Sequence, residues 1–141
     1  MSLKFAQGKF QITHPEKYVG NKIPVYRSSW EWSFMRFCDT NESIIEWASE
    51  PLRIPYRCPL TNRVTSYVPD FLIKYVDKTN RIHVELIEIK PQNQTLAEKV
   101  GKNKRNQIEF TRNLAKWKAA QEFCKAKGIV FRILNETDLF R

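Results

Sequence analysis

No apolar run in this 141-residue chain approaches the roughly 18 residues that a membrane-spanning helix needs, so such a helix is excluded. The amino terminus reads Met1-Ser2-Leu3-Lys4-Phe5-Ala6-Gln7-Gly8-Lys9 and lacks the apolar core segment of a secretory signal. A cytosolic setting is the expectation. Cysteine is scarce. Cys38, Cys58 and Cys124 are an odd set with no close pair, which argues against a disulfide framework and against a Cys-x-x-Cys zinc site. They read as packing residues. His14 and His83 are the only imidazoles, too few for a structural zinc. Repeats and low-complexity tracts are absent. Acidic residues are in the minority, 15 against 24 Lys and Arg, for a net charge of +9. A basic domain without a membrane anchor most often meets a polyanion, nucleic acid first. What remains is 42% hydrophobic and 13% aromatic, a composition that folds rather than staying disordered. The length suits one domain with a real core.

Residues 1–27 are irregular, with Pro15, Gly20 and Pro24, and read as an amino-terminal arm or cover; residues 28–141 read as the single folded domain. Ser28 and Ser29 are candidate N-caps for a helix through Trp30 to Cys38. Glu31 shares its helical face with Phe34, Met35 and Cys38. An acid on an apolar stripe breaks the binary pattern, as functional residues do. Ile44 to Ala48 is a short amphipathic segment, stopped by Pro51. Leu52 to Arg57 alternates around Pro55, as an edge strand does. Val64 to Val76 is expected as one strand, bent at Pro69. Asp77 to Asn80 turns the chain into a strand over Arg81 to Lys90. The polar stretch from Pro91 to Asn106 reads as a basic loop. Gln107 to Lys127 is a long helix with Gly128 as its C′ residue. A last strand, Ile129 to Leu134, is expected beside the one carrying Glu88, and a terminal helical turn follows over 135–140. Helix, three-stranded meander, helix and strand make a mixed α/β sheet flanked by helices.

Residues two apart on a strand share a face, so Glu88 and Lys90 project together while Glu85 faces away with Ile87 and Ile89. Buried charges at the end of an apolar strand need partners or a metal. The preceding strand brings Asp70. Phosphodiester cleavage needs a nucleophilic water, neutralised phosphate charge and a stabilised leaving oxygen. A hard cation such as Mg²⁺ serves all three and prefers oxygen ligands. Asp70 and Glu88 offer carboxylate oxygens, and the backbone carbonyl of Ile89 a third. Lys90 is placed to orient or help deprotonate the water. Glu31 can reach the same point and help hold a metal. A lone Glu-x-Lys is common as an exposed charge pair; its conjunction with Pro69-Asp70 and Glu31 is what points to catalysis.

Those residues resemble the PD-(D/E)XK nuclease superfamily. Ser29-Trp30-Glu31, Ile54-Pro55-Tyr56, Tyr67-Val68-Pro69-Asp70-Phe71 and Glu88-Ile89-Lys90-Pro91 look like the TnsA-type endonuclease N-terminal domain. Ala115-Lys116-Trp117-Lys118-Ala119-Ala120, Phe123-Cys124 and Phe131-Arg132-Ile133-Leu134-Asn135-Glu136 extend the likeness. In so short a chain the whole arrangement, over about residues 27–140, is most similar to the head-completion nucleases of large myophages. The resemblance implies a restriction-endonuclease-like α/β core. It implies cleavage of DNA with Mg²⁺, for which Mn²⁺ substitutes. The implied setting is processing of DNA at the portal after packaging, in the host cytoplasm and in association with the virion. Portal or head-completion proteins are then partners. The chain ends at Arg141 without the second domain by which the transposon enzyme contacts its transposase, which favours a stand-alone nuclease.

Arg27, Arg36, Arg63, Lys102, Lys104 and Arg105 are candidates for contacts to the DNA backbone, which position DNA without reading sequence. Asn113 and Lys116 can reach the scissile phosphate from the long helix. The tryptophans read as core. A second reading stays open, a DNA-end or portal-binding plug with a little-used nuclease site, as does a stand-alone transposase-like or repair endonuclease. A monomer would nick one strand per encounter; a dimer could cut both.

Overall fold

In the computed structural model, residues 7–139 are described, and the arm they begin with lies against the body of the protein. Strands β1 (Gly8–Lys9) and β2 (Val25–Tyr26) pair antiparallel, with a 3-10 turn at Pro15–Lys17 between them. Phe10 is buried in the core, and the ring of Tyr18 stands edge-on to Trp47 at 4.7 Å. Asp39 holds the arm from below. Its carboxylate accepts bonds from the Thr13 N–H and hydroxyl and from the His14 N–H.

Helix α1 (Ser29–Thr40) starts as its sequence predicts: the Ser28 hydroxyl oxygen accepts the Glu31 N–H. Phe34, Met35 and Cys38 are buried beneath it. The segment read only as short and amphipathic is strand β3 (Ile44–Ser49). Its pairing slips between Ile44 and Glu46, and Trp47, Ala48 and Ser49 are all buried, so no period of two is visible in the sequence.

Strands β4 (Ile54–Arg57) and β5 (Val64–Tyr67) form a separate hairpin. The single strand expected over Val64 to Val76 is two. Pro69 has no N–H to give a ladder, and the chain leaves the hairpin there to enter the central sheet as β6 (Phe71–Val76). Strand β7 (Ile82–Ile89) returns antiparallel to β6. Short helix α2 (Ala97–Val100), preceded by a 3-10 turn at Gln92–Gln94, replaces the expected loop. Helix α3 (Lys104–Lys127) begins three residues earlier than expected because Asn103 caps it, its side chain accepting the Asn106 N–H. Gly128 ends α3 with φ 72°, a left-handed conformation that glycine adopts freely. Strand β8 (Val130–Leu134) then runs parallel to β7, beside Glu88 as expected, and α4 (Glu136–Leu139) follows; Phe140, the last residue of the expected turn, lies outside the described residues.

The central sheet has the order β3-β6-β7-β8. Strand β4 is not part of it; β3 takes the place the meander had assigned to that segment. Alternation divides the core. Phe71, Ile73, Ile87 and Ile89 face α1, while Leu72 and Leu86 face α3 and the hairpin with Tyr56, Tyr67, Trp117 and Cys124. The fold is a mixed α/β sheet flanked by helices, a restriction-endonuclease-like arrangement.

Candidate active site

The carboxyl end of β7 and the start of β6 meet where the hairpin leaves the sheet. The last β6–β7 ladder pair is Phe71 with Ile87, so Asp70 comes opposite Glu88 one step beyond it. There the Asp70 carboxylate substitutes for a backbone acceptor: the Ile89 N–H donates to Oδ2 at 2.8 Å. The Asp70 carbonyl accepts the Glu50 N–H at 2.8 Å. Asp70 is thus fixed through both its side chain and its backbone.

Glu88 is 5% exposed. The Tyr67 hydroxyl donates to its Oε1 at 2.6 Å, and Lys90 Nζ stands 3.8 Å from its Oε2. Lys116 reaches over from α3, its Nζ 5.8 Å from the centre of the Tyr67 ring and near enough to favour the charged form of Glu88. Glu31 enters from the first turn of α1, its carboxylate accepting the Arg27 N–H at 3.2 Å. Its charge is felt by both Asp70 and Glu88, and it feels Lys90 in turn. Asp70, Glu88 and Lys90 therefore come together at the end of β7, with Glu31 within electrostatic reach of them rather than in one cage. Glu85 takes the opposite face, where its carboxylate bonds Tyr75 and Arg132.

Burial pushes the Asp70 carboxyl well above the usual range, and the Glu88 charge adds to the rise; the Ile89 N–H and Lys90 pull the other way. Burial also raises Glu88, against the opposing effects of the Tyr67 bond, Lys90 and Lys116. Glu31 is raised by burial despite its bond from Arg27. Carboxyls held above their usual range chiefly by burial would be drawn to their ionised forms by a hard divalent cation. Among the described residues no three His, Cys, Asp or Glu gather into a metal cage. Mg²⁺ does not require one, because it binds through one or two carboxylates and keeps several waters. The donor set fits it.

The candidate DNA contacts divide. Asn113 and Lys116 come to the site on α3, Asn113 buried and Lys116 half-buried. Lys102, Lys104 and Arg105 are exposed around the start of the same helix. Arg27 is exposed but donates to Glu50 at 2.7 Å. Arg36 lies about 140° round α1 from Glu31 and stacks over Trp32 at 5.6 Å. Arg63 sits at the turn of the β4–β5 hairpin, the end away from Tyr67. Trp47 and Trp117 are core, whereas Trp32 is exposed. Sequence reasoning missed Tyr67 and Glu50. Glu50 has a left-handed φ of 47° and adds its charge beside Glu31. No pattern of two or of 3.6 could reveal either, because both meet the site through the chain's departure from one sheet into another.

A model of the family described as TnsA-like endonuclease N terminal matches residues 41–136 of the chain. That span takes in Asp70, Glu88 and Lys90 and begins after Glu31. A curated relative, the head completion nuclease of Enterobacteria phage T4, is 37% identical over an alignment of 142 positions that covers 94% of this chain and 92% of that protein.

Proposed function

Because the chain belongs to the TnsA-like endonuclease N-terminal family, we propose that it is a Mg²⁺-dependent DNA endonuclease acting in phage head completion, with Asp70, Glu88, Lys90 and Glu31 as its working groups. The observation that carries this reading is the buried carboxylate pair with Lys90 Nζ 3.8 Å from Glu88. A binding module has no use for so costly an arrangement.

Asp70 and Glu88 would hold the cation, with the Ile89 carbonyl as a further oxygen and Glu31 in support. When bound, the cation neutralises phosphate charge and lowers the pKa of a water. Each protein group has a separate task. The Ile89 N–H and Tyr67 hydroxyl fix one oxygen of each carboxylate, and the second oxygen of Glu88 faces Lys90 Nζ at 3.8 Å. Lys90, an ammonium beside Glu88, would orient the attacking water and stabilise the negative charge that builds on it as its proton passes to solvent. The water oxygen forms a bond to phosphorus as the bond to the leaving oxygen breaks, and a proton ends on that oxygen. Lys116 stabilises charge on the phosphate. The basic residues at the start of α3 place the backbone. The head completion role rests on the phage relative, and portal or head proteins are the partners that role implies. No helix of the described residues is long and apolar enough to cross a membrane.

The test is incubation of supercoiled, linear and branched DNAs with Mg²⁺, with Mn²⁺ and with chelator, mapping product ends. Cleavage that chelator abolishes supports the reading. Salt-sensitive binding with no cleavage under any metal would replace it with the DNA-end or portal plug.

A further inference from the structure

Next to the carboxylates, bordered by Lys90, lies a cleft of about 250 Å³ between the connection over residues 91–103 and α3. Val100 and Phe110 give it an apolar wall, and the exposed side chain of Asn106 stands at its rim. Asn113 also lines it, although only 7% exposed. Among the described residues the Asn113 amide has no side-chain hydrogen bond. The amide is not a buried orphan, because its polar atoms open onto the cleft, where they are available to whatever enters it. Glu109 borders the cleft too, but it is engaged by Arg112.

An amide offers a donor and an acceptor side by side, the pattern that pairs with the edge of a nucleobase. Within a lining otherwise made polar by Lys90, Asn93, Gln94 and Lys99, Phe110 and Val100 supply the apolar surface against which a base can pack. The volume falls below the roughly 300–1,000 Å³ of pockets for drug-sized ligands, so one ring system suits it and a base pair does not. A base stacked in a duplex shows only its groove edges and cannot enter. We propose that this cleft takes up the base of one unpaired nucleotide adjacent to the scissile phosphate, so that the preferred substrates are DNAs with a frayed, single-stranded or flapped strand at the cut. The proposal rests on the nuclease reading for the position of that phosphate. Extruding a paired base costs a few kcal/mol and an unpaired one far less, which gives the preference its physical origin.

The test measures binding of the full chain, in chelator, to a blunt duplex, to the same duplex with a single-stranded tail, and to tails carrying one abasic position walked along the strand. The tailed DNA is expected to bind about tenfold more tightly, the scale of one base stacked on an aromatic side chain. One abasic position should erase the gain, and it should neighbour the cut mapped with Mg²⁺ in parallel. Asn113→Leu and Asn106→Ala should each narrow the difference between tailed and blunt DNA. Asn106→Ala on the exposed rim, and the abasic walk with unaltered protein, decide the matter if Asn113→Leu does not fold. Equal binding of tailed and blunt DNA, or no effect of an abasic site anywhere, overturns the proposal. Absence of cleavage with either metal overturns the nuclease reading instead, while the binding comparison still decides whether the cleft takes a base.

Discussion

Burial holds the carboxyls of Asp70 and Glu88 above their usual range, with the charge of Glu88 adding at Asp70 and that of Glu31 at Glu88, and this ties stability to pH in a definite direction. A group whose folded pKa lies above its unfolded value adds stability below the unfolded value and loses it as pH rises through the folded one. Asp39 and Asp77 are lowered, so they act with the opposite sign. The difference between two proteins isolates the effect. In chelator, Asp70→Asn is expected to melt above the wild type at neutral pH, with the gap closing towards acid; melting curves across pH check it. Tyr67 acts on the same pair. Its bond favours ionised Glu88, so Tyr67→Phe should raise that carboxyl further and move the acid limb of the cleavage profile to higher pH. A hydrogen bond to a charged group is worth about 1.5–3 kcal/mol, so kcat at neutral pH should fall roughly tenfold or more. A profile that stays in place would leave Tyr67 with a packing role only. Asp70, Glu88 and Lys90 were legible because strand alternation and Pro69 mark them locally. Tyr67 was not, since its approach to Glu88 depends on two strands belonging to different sheets.

Elements were readable where one local device sets them. Ser28 and Gly128 fix the ends of α1 and α3 by capping and by left-handed geometry, and both stood out in the sequence. Strand β3 did not, because a bulge shifts its parity and its end is covered on both faces. The β5–β6 break did not, because bending and separating at Pro69 look alike in one dimension. Fastening of the arm was equally invisible: Asp39 lies 25 and 26 residues from His14 and Thr13, its partners. Burial opposes ionisation of Asp39, and those bonds overcome it, leaving its carboxyl below the usual range. Asp39→Ala is therefore expected to cost about 3 kcal/mol and to expose residues 7–27 to proteases faster than the sheet. Limited proteolysis with the melting temperature checks this, and an arm as protected as in the wild type would remove Asp39 as its anchor.

For the molecule as a whole, a net charge of +9 and a local pair of buried carboxyls coexist, and in the proposed reading the two serve opposite ends of one encounter. On that reading, positive charge draws the DNA backbone in and releases counterions, and the carboxylates would meet phosphate through a bound Mg²⁺. Exposed Lys102, Lys104 and Arg105 adjoin the cleft at the start of α3. Replacing all three with Ala should lower the slope of log affinity against log salt by up to about 0.9 for each phosphate left without its cationic partner, measured by anisotropy over a salt series. An unchanged slope would take the DNA path away from α3. The most direct test of the central claim is nicking of supercoiled plasmid in Mg²⁺ by the wild type, Asp70→Asn and Glu88→Gln, with DNA binding and melting measured on the same samples. The expected result is loss of cleavage by about a thousandfold or more in both variants, with the fold intact and DNA binding retained or tightened. Wild-type cleavage by either folded variant would contradict the account.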